Sequence, residues 1–341
     1  MAVSPNGRYV ASGGRDRVAH LVDRQAPSLN LSIPAHNDRL WSMCFADADR
    51  MLITAGEDRS IHLWDSSTGR RLGTLIDTDQ GQAAHADSIQ FVLLLPDGDT
   101  LASASRDSSI KLWSIASQKL LARLQGVHQG AVNGLATSRA GKSLYSIGDD
   151  GKVVEWDLAT RAEKRVAMKI DGAGWAVACS PDGSQIAAGG VESIIDLWDA
   201  NQSRPLGQLR GHQAAVTSLR YSADGRWLAS TSQDQTVRLY SADEINAMPS
   251  VDMEKSITLK GHSGDAMSAA FSPDGRTLAT CGLDRTIRLW DIPTVEAIGL
   301  LRGHADQIQT VTFDSTGTRL ASASWDKTAR IWRAPREEQK P

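Results

Sequence analysis

Cysteine is scarce, aromatics are few, long apolar runs are missing and neither sign of charge dominates, and each shortage closes a class of function. The three cysteines, Cys44, Cys179 and Cys281, stand far apart inside apolar runs. An odd number at that spacing argues against a disulfide or zinc framework and for buried free thiols in a reducing compartment. No stretch of 18 apolar residues exists to span a membrane, and the opening MAVSPNGRYVASGG lacks the basic-then-apolar layout of a secretion signal. A cytoplasmic location is therefore expected. With 37 basic against 40 acidic residues the formal charge is -3, which gives no overall attraction to nucleic acid or anionic lipid. No phosphate-cradling glycine loop and no metal-spaced Cys/His cluster is found, so neither cofactor nor metal is expected.

What the chain has instead is repetition. With Trp290 as the mark, the equivalent positions are Val22, Trp64, Trp113, Trp156, Trp198, Tyr240, Trp290 and Trp332, at spacings of 42, 49, 43, 42, 42, 50 and 42 residues. Six residues before the mark stands an aspartate in seven of these eight units: Asp16, Asp58, Asp107, Asp150, Asp234, Asp284 and Asp326, with Glu192 in the fifth. Twenty-two residues before that lies a histidine in six: His36, His85, His128, His212, His262 and His304. In the first unit the slot falls before residue 1, and in the fifth it holds Ile170.

Each unit reads as four short strands. In the seventh, DAMSAAFS leads through Ser272-Pro273-Asp274-Gly275 into TLATCG, then through Leu283-Asp284-Arg285 into TIRLWD and finally AIGLLR. Proline presets a turn's backbone and glycine takes its left-handed position. Asp49 fills that glycine slot in the second unit, a role aspartate tolerates better than most residues. Short strands without helical periodicity predict an all-β array of antiparallel sheets.

Gly-His at 211–212, 261–262 and 303–304, the aspartate turns, and Trp-Asp at 64–65, 156–157, 198–199 and 290–291 together resemble the WD-repeat β-propeller family. The resemblance covers nearly the whole chain and implies a closed β-propeller of four-stranded blades around a central channel. One domain is expected over residues 1–333, with units at about 1–34, 35–76, 84–125, 127–169, 170–210, 211–260, 261–302 and 303–333, followed by a polar tail at 334–341. Two closures fit. Eight units suggest eight blades, the last missing its fourth strand. In the alternative, LNLSI at 29–33 completes the last unit, giving seven blades and a surplus hairpin at residues 1–28.

The resemblance further implies one hydrogen-bond network per blade, linking His, the strand Ser or Thr, the turn Asp and Trp. The complete sets are His36, Thr54, Asp58, Trp64; His85, Ser103, Asp107, Trp113; His128, Ser146, Asp150, Trp156; His262, Thr280, Asp284, Trp290; and His304, Ser322, Asp326, Trp332. The sixth unit has Tyr240 for Trp, and the fifth keeps only Trp198 beside Ile170, Ala188 and Glu192, which predicts the softest blade. Each set holds the ingredients of a nucleophilic triad, but a triad is needed once, beside an oxyanion hole, and five phased copies read as structure. His20 and His62 lie in third strands without phased partners and read as ordinary surface or core histidines. Asp77-Thr78-Asp79-Gln80-Gly81 departs from a calcium loop and reads as solvated, and Ser108-Ser109-Ile110-Lys111 sits on a strand, where a Ser-x-x-Lys nucleophile would not. The extra residues at 77–84 and 241–255 read as surface loops on opposite rims.

No catalytic set remains, so function is expected on the surface. In the family, residues three and five after the His slot and the one before the Asp contact partners. Carried over, the resemblance nominates Arg15, Arg39, Trp41, Arg106, Trp175, Met267, Leu283 and Trp325 as partner-binding, residue types common at binding hot spots. A non-enzymatic scaffold for a protein or peptide follows, alone or within a larger signalling or assembly protein. Nucleic acid and membrane are not expected partners. The alternative is a propeller enzyme using carboxylates such as Asp265, Asp149 and Glu57 at the channel mouth. A cullin-ligase substrate receptor is disfavoured, since no Trp-Asp here is followed by x-Arg.

Overall fold

A strand flanked by sheets on both sides must be apolar on both faces, whereas one at the periphery need be apolar on neither. The second unit shows this gradient. Ile61–Asp65 is buried at four of its five positions, while Arg71–Leu75 is buried only at Leu75. In the computed structural model, which describes residues 1–26, 30–246 and 256–333, the chain forms eight antiparallel sheets in chain order, arranged as the blades of a closed propeller. The tail expected at 334–341 and residues 247–255 of the long loop lie outside the described residues.

Blade seven is representative, with strands Ala266–Phe271, Thr277–Gly282, Thr286–Asp291 and Glu296–Arg302. Its first turn closes with Gly275 at φ 71°, where Gly275 N–H donates to the Ser272 carbonyl at 2.8 Å. In blade two Asp49 takes the same geometry, at φ 74°. Of the longer units, residues 77–84 lead into blade three, and a short helix at Ala242–Asn246 follows the third strand of blade six on the other rim.

The seven-bladed arrangement is not what forms. Asn30–Pro34 pairs with Val18–Asp23, with Leu21 opposite Leu31, and so completes blade one after Ala2–Val3 and Tyr9–Gly13. A local hairpin closes a short loop, which costs less chain entropy than reaching the far end of the sequence. Burial adds to this: Tyr9, Ala11, Ala19 and Leu21 pack with Leu40, Phe45, Leu52 and Trp64 of blade two. Burying each large side chain contributes about 1.5–3 kcal/mol, all of it forfeited by a surplus hairpin. Blade eight has three strands among the described residues, Ile308–Phe313, Arg319–Ser324 and Ala329–Arg333.

Seven of the eight blade junctions contain an apolar cluster of buried side chains. The junction of blades eight and one has none among the described residues. It is closed by polar contacts: Arg24 of blade one donates to the Asp314 carboxylate of blade eight at 3.1 Å and, within its own blade, to the Gly7 carbonyl, with Asp314 only 3% exposed. The Arg15 guanidinium also lies over the Trp325 ring, 4.2 Å from its centre. This seam is the weak point of the ring. Arg24→Met keeps the volume but strands a buried carboxylate, and should cost about 3 kcal/mol in denaturant unfolding. Hydrogen exchange should quicken in Tyr9–Gly13 and Ile308–Phe313 while blade four is unchanged; equal acceleration everywhere would reject the seam.

Candidate functional site

The phased polar residues form a staple in each regular blade. Nδ1 of His36, His85, His128, His212, His262 and His304 lies 2.8–3.0 Å from the turn aspartate. Nε2 of each lies 2.7–2.9 Å from the hydroxyl of Thr54, Ser103, Ser146, Ser230, Thr280 or Ser322. In five blades the same hydroxyl accepts from the indole N–H of Trp64, Trp113, Trp156, Trp290 or Trp332, at 2.8–3.0 Å. One tautomer satisfies every atom: indole N–H to hydroxyl, hydroxyl to Nε2, and Nδ1–H to carboxylate. Blade six places fully buried Tyr240 where the others hold tryptophan.

The aspartate also reaches sideways. Its second contact is the backbone N–H after the histidine, as in Asn37 to Asp58 at 2.8 Å and Ser263 to Asp284 at 3.1 Å. A hydroxyl two residues on adds a third bond: Ser109, Thr236, Thr286 and Thr328 donate to their aspartates at 2.6–2.8 Å. This Asp-x-Ser/Thr signal is legible in the sequence once the turn is understood. Because the aspartate and the histidine loop are bonded together, the histidine-side loops and aspartate turns share one rim. The staple hydroxyls cannot act as nucleophiles, since Thr54, Ser103, Ser146, Thr280 and Ser322 are fully buried and no substrate reaches them.

Burial pushes the Asp107 and Asp284 carboxyls up, but the hydrogen bonds from His85, Ser109 and the Ala86 N–H, and from His262, Thr286 and the Ser263 N–H, outweigh it and hold both well below the usual range. Burial also lowers His85 and His128, favouring the neutral ring despite the aspartate beside it. Both shifts act in one direction. Their stabilisation is fully present above the unfolded-state values, near 6.5 for histidine and 4 for aspartate, and is lost as pH falls through the folded ones.

Four places depart from the sequence expectation or from the repeat. In blade five, Ile170 and Ala188 are buried in an apolar cluster that Trp198 joins, while Glu192 is exposed. The polar bond is replaced by packing, and Trp198 Nε1 is buried without a hydrogen-bond partner. His20 is not idle: its Nε2 lies 3.0 Å from Asp16, serving the turn whose histidine slot precedes residue 1. His62 donates or accepts at Thr74 Oγ1, 2.8 Å away, and burial drives its ring down to about 4. His36, Asp58 and His62 are the one group among the described residues able to offer a metal three ligand atoms, within 4.8 Å of one another. Both His36 nitrogens are already engaged in the staple, so an ion would have to break it.

The fourth departure is one residue of the loop read as solvated, whose Thr78, Asp79, Gln80 and Gly81 are exposed as expected. Asp77 is fully buried, and its carboxylate accepts from Lys111 Nζ at 2.6 Å and from Arg123 at 2.5 and 2.9 Å. Lys111 also donates to the Ala84 carbonyl at 2.8 Å, pinning both ends of the insertion. Spacing gave no hint, because the partners lie 34 and 46 residues away. The cysteines differ too: Cys281 is buried but Cys44 and Cys179 are half-buried, all three free, with burial pushing the Cys44 and Cys179 thiols up to about 12.

On the rim, Trp41, Trp175 and Trp325 are 41%, 37% and 43% exposed, against 6% or less for Trp64, Trp113, Trp156 and Trp290. Arg15, Arg39 and Arg106 are exposed, Met267 and Leu283 half-buried. Trp325 and Arg15 are brought together across the seam, and Arg39 lies 3.8 Å from Glu57. Trp175 and Arg106 stand on other blades, away from that pair. Two outcomes test the staple. Asp284→Ala should cost about 3 kcal/mol in urea unfolding, because it strips a buried histidine, a backbone N–H and a hydroxyl of their acceptor. Glu192→Ala, at the equivalent exposed position, should stay within about 0.5 kcal/mol. Thermal stability should also fall steadily from about pH 7 to about pH 4; a rise over that window would contradict the shifts above.

With the geometry in place, the comparisons with known proteins agree with it. The family profile described as "WD domain, G-beta repeat" matches residues 1–23, 28–65, 76–114, 203–241, 253–291 and 296–333. A nuclear distribution protein PAC1 of Arthroderma otae is 27% identical over 72% of this chain and 58% of its own length. Pre-mRNA-processing factor 19 of Mus musculus is 27% identical over 52% of this chain and 34% of its own, and a guanine nucleotide-binding protein subunit beta-1 of Nicotiana tabacum 30% identical over 70% and 68%. The chain thus spans about a third to three fifths of the first two relatives. A computationally designed protein, Ika8, superposes at a TM-score of 0.82 over 98% of this chain and 95% of its own, at 23% identity, a likeness of fold alone. Staples, blades and profile together place the chain in the WD domain, G-beta repeat family.

Proposed function

We propose that this chain is a non-enzymatic scaffold that holds a protein or peptide on the rim carrying the aspartate turns. The observation that carries the reading is the contrast among its tryptophans. Trp64, Trp113, Trp156 and Trp290 are buried and bonded in the staples, but Trp41 and Trp325 stand more than two fifths exposed on one rim. Apart from the Arg15 stack on Trp325, exposing these indoles to water gains the fold little, while at an interface each supplies a large rigid contact area. One relative is named as a subunit, of a guanine nucleotide-binding protein, which is consistent with such a role.

The rival, an enzyme at the channel mouth, needs converging carboxylates. Glu57, Asp149 and Asp265 sit on blades two, four and seven. Glu57 faces Arg39, 3.8 Å away, and Asp149 accepts from the Asn133 amide at 2.7 Å, so each of these two has a partner in its own blade rather than the other as a neighbour. The test is affinity capture from a cell extract with the whole chain, followed by the triple variant Trp41→Ala, Trp325→Ala, Met267→Ala. Specific partners should be lost while the melting temperature holds to within a few degrees; partners retained by a folded variant would reject the rim.

A further inference from the structure

The residue after each turn aspartate adopts left-handed backbone in seven blades: Arg17, Arg59, Ser108, Gly151, Gln235, Arg285 and Lys327, at φ 62–70°. That conformation strains an L side chain, a strain glycine avoids, as Gly151 does in blade four. Left-handed backbone at this position is met by serine, glycine and glutamine as well as by long cations. Yet blades seven, eight, one and two, consecutive around the ring, hold Arg285, Lys327, Arg17 and Arg59 there, all exposed, while blades three to six hold Ser108, Gly151, Ser193 and Gln235. The charge is therefore sorted by position in the ring.

The arc is continuous across its junctions. Arg15 of blade one stacks on Trp325 of blade eight, and Arg17 donates to the Asn37 carbonyl of blade two at 3.4 Å. The acids within it are partly engaged: Asp306 and Asp38 accept the next backbone N–H at 2.8 and 2.7 Å, and Glu57 lies 3.8 Å from Arg39. Across the ring the sign reverses, with exposed Asp149, Asp171 and Glu192 on blades four and five.

Resting on the rim reading above, we propose that the arc of Arg285, Lys327, Arg17 and Arg59 docks an acidic extended segment of a partner protein, with Trp41 and Trp325 as apolar anchors. Cations spread along an open rim attract carboxylates and set orientation. A longer polyanion such as nucleic acid crossing the mouth would meet the acidic blades, so a short acidic segment is the better fit. Because it spans blades eight and one, the segment also bridges the seam that lacks an apolar cluster, and its binding should stabilise the ring.

Fluorescence anisotropy of a labelled short glutamate-leucine peptide with the whole chain tests this, beside an oligothymidylate and a lysine-leucine peptide. The quadruple variant R17S/R59S/R285S/K327S places at each turn the residue that blade three already holds in this conformation, so the fold should be kept, as a thermal melt will show. The glutamate peptide should bind most tightly of the three, weaken as salt rises from about 50 to about 300 mM, and lose at least about tenfold in affinity in the quadruple variant. The variant D149N/D171N/E192Q should lose none. No binding at low salt, tighter binding of the oligothymidylate, or an affinity unchanged in the quadruple variant overturns the proposal. The capture experiment separates it from the rim reading: partners lost with the tryptophans but indifferent to the four cations reject only the acidic segment, and partners indifferent to both reject the two together.

Discussion

A carboxylate in a tight turn between packed sheets cannot stand alone, and the architecture of this protein answers that one demand repeatedly. Asp284 is held by an imidazole, a backbone N–H and a hydroxyl, and the imidazole passes the constraint inward to Thr280 and Trp290. The loop entering a blade, the turn between its second and third strands and the strands themselves are thus locked together. Six blades carry the histidine-aspartate bond, so the ring's rigidity on this rim is built from the same chemistry six times. Apolar packing between blades supplies the bulk of the burial, but packing alone has no direction; the staple fixes which way each turn points.

Where the staple is missing, other physics substitutes, and the substitutions differ. Blade five fills the histidine and serine slots with Ile170 and Ala188, trading a hydrogen bond for an apolar contact and leaving one indole N–H unpaired. Blade one borrows His20 from its third strand to serve Asp16. Blade three keeps its staple and adds a buried ion cluster, Asp77 with Lys111 and Arg123, that fastens the insertion leading into it. At the seam, where no apolar cluster forms among the described residues, Arg24 and Asp314 carry the junction. A ring tolerates such local exchange because each blade meets only its neighbours.

The same rigidity leaves the rim positions beside the staple free to differ from blade to blade. The exposed rim residues are sorted by charge and by aromatic character around the ring, a sorting with no counterpart in the core. The staple is nearly identical from blade to blade, whereas the positions beside it vary most. Trp41, Trp325 and the four turn cations occupy those variable positions, which is where a repeated scaffold can acquire a specific partner without disturbing its fold.

Much of this was legible in the chain. The spacing of Trp, Asp and His marked eight units, the glycine and aspartate turns marked strand ends, and the pairing of Ser103 with His85 and Trp113 was implied by the family resemblance; each of these contacts is closed within one repeat. What phase could not decide were contacts between repeats or outside them. Asn30–Pro34 had two possible sheets, and only the packing of Tyr9 and Leu21 on blade two chose between them. Asp77 looked solvated because Lys111 and Arg123 are distant in sequence, and the cation arc is invisible until the last unit is set beside the first. Local hydrogen-bonding chemistry recurs with the sequence and can be read from it; ring closure and the surfaces that span it depend on which segments meet in space, and that is settled by burial.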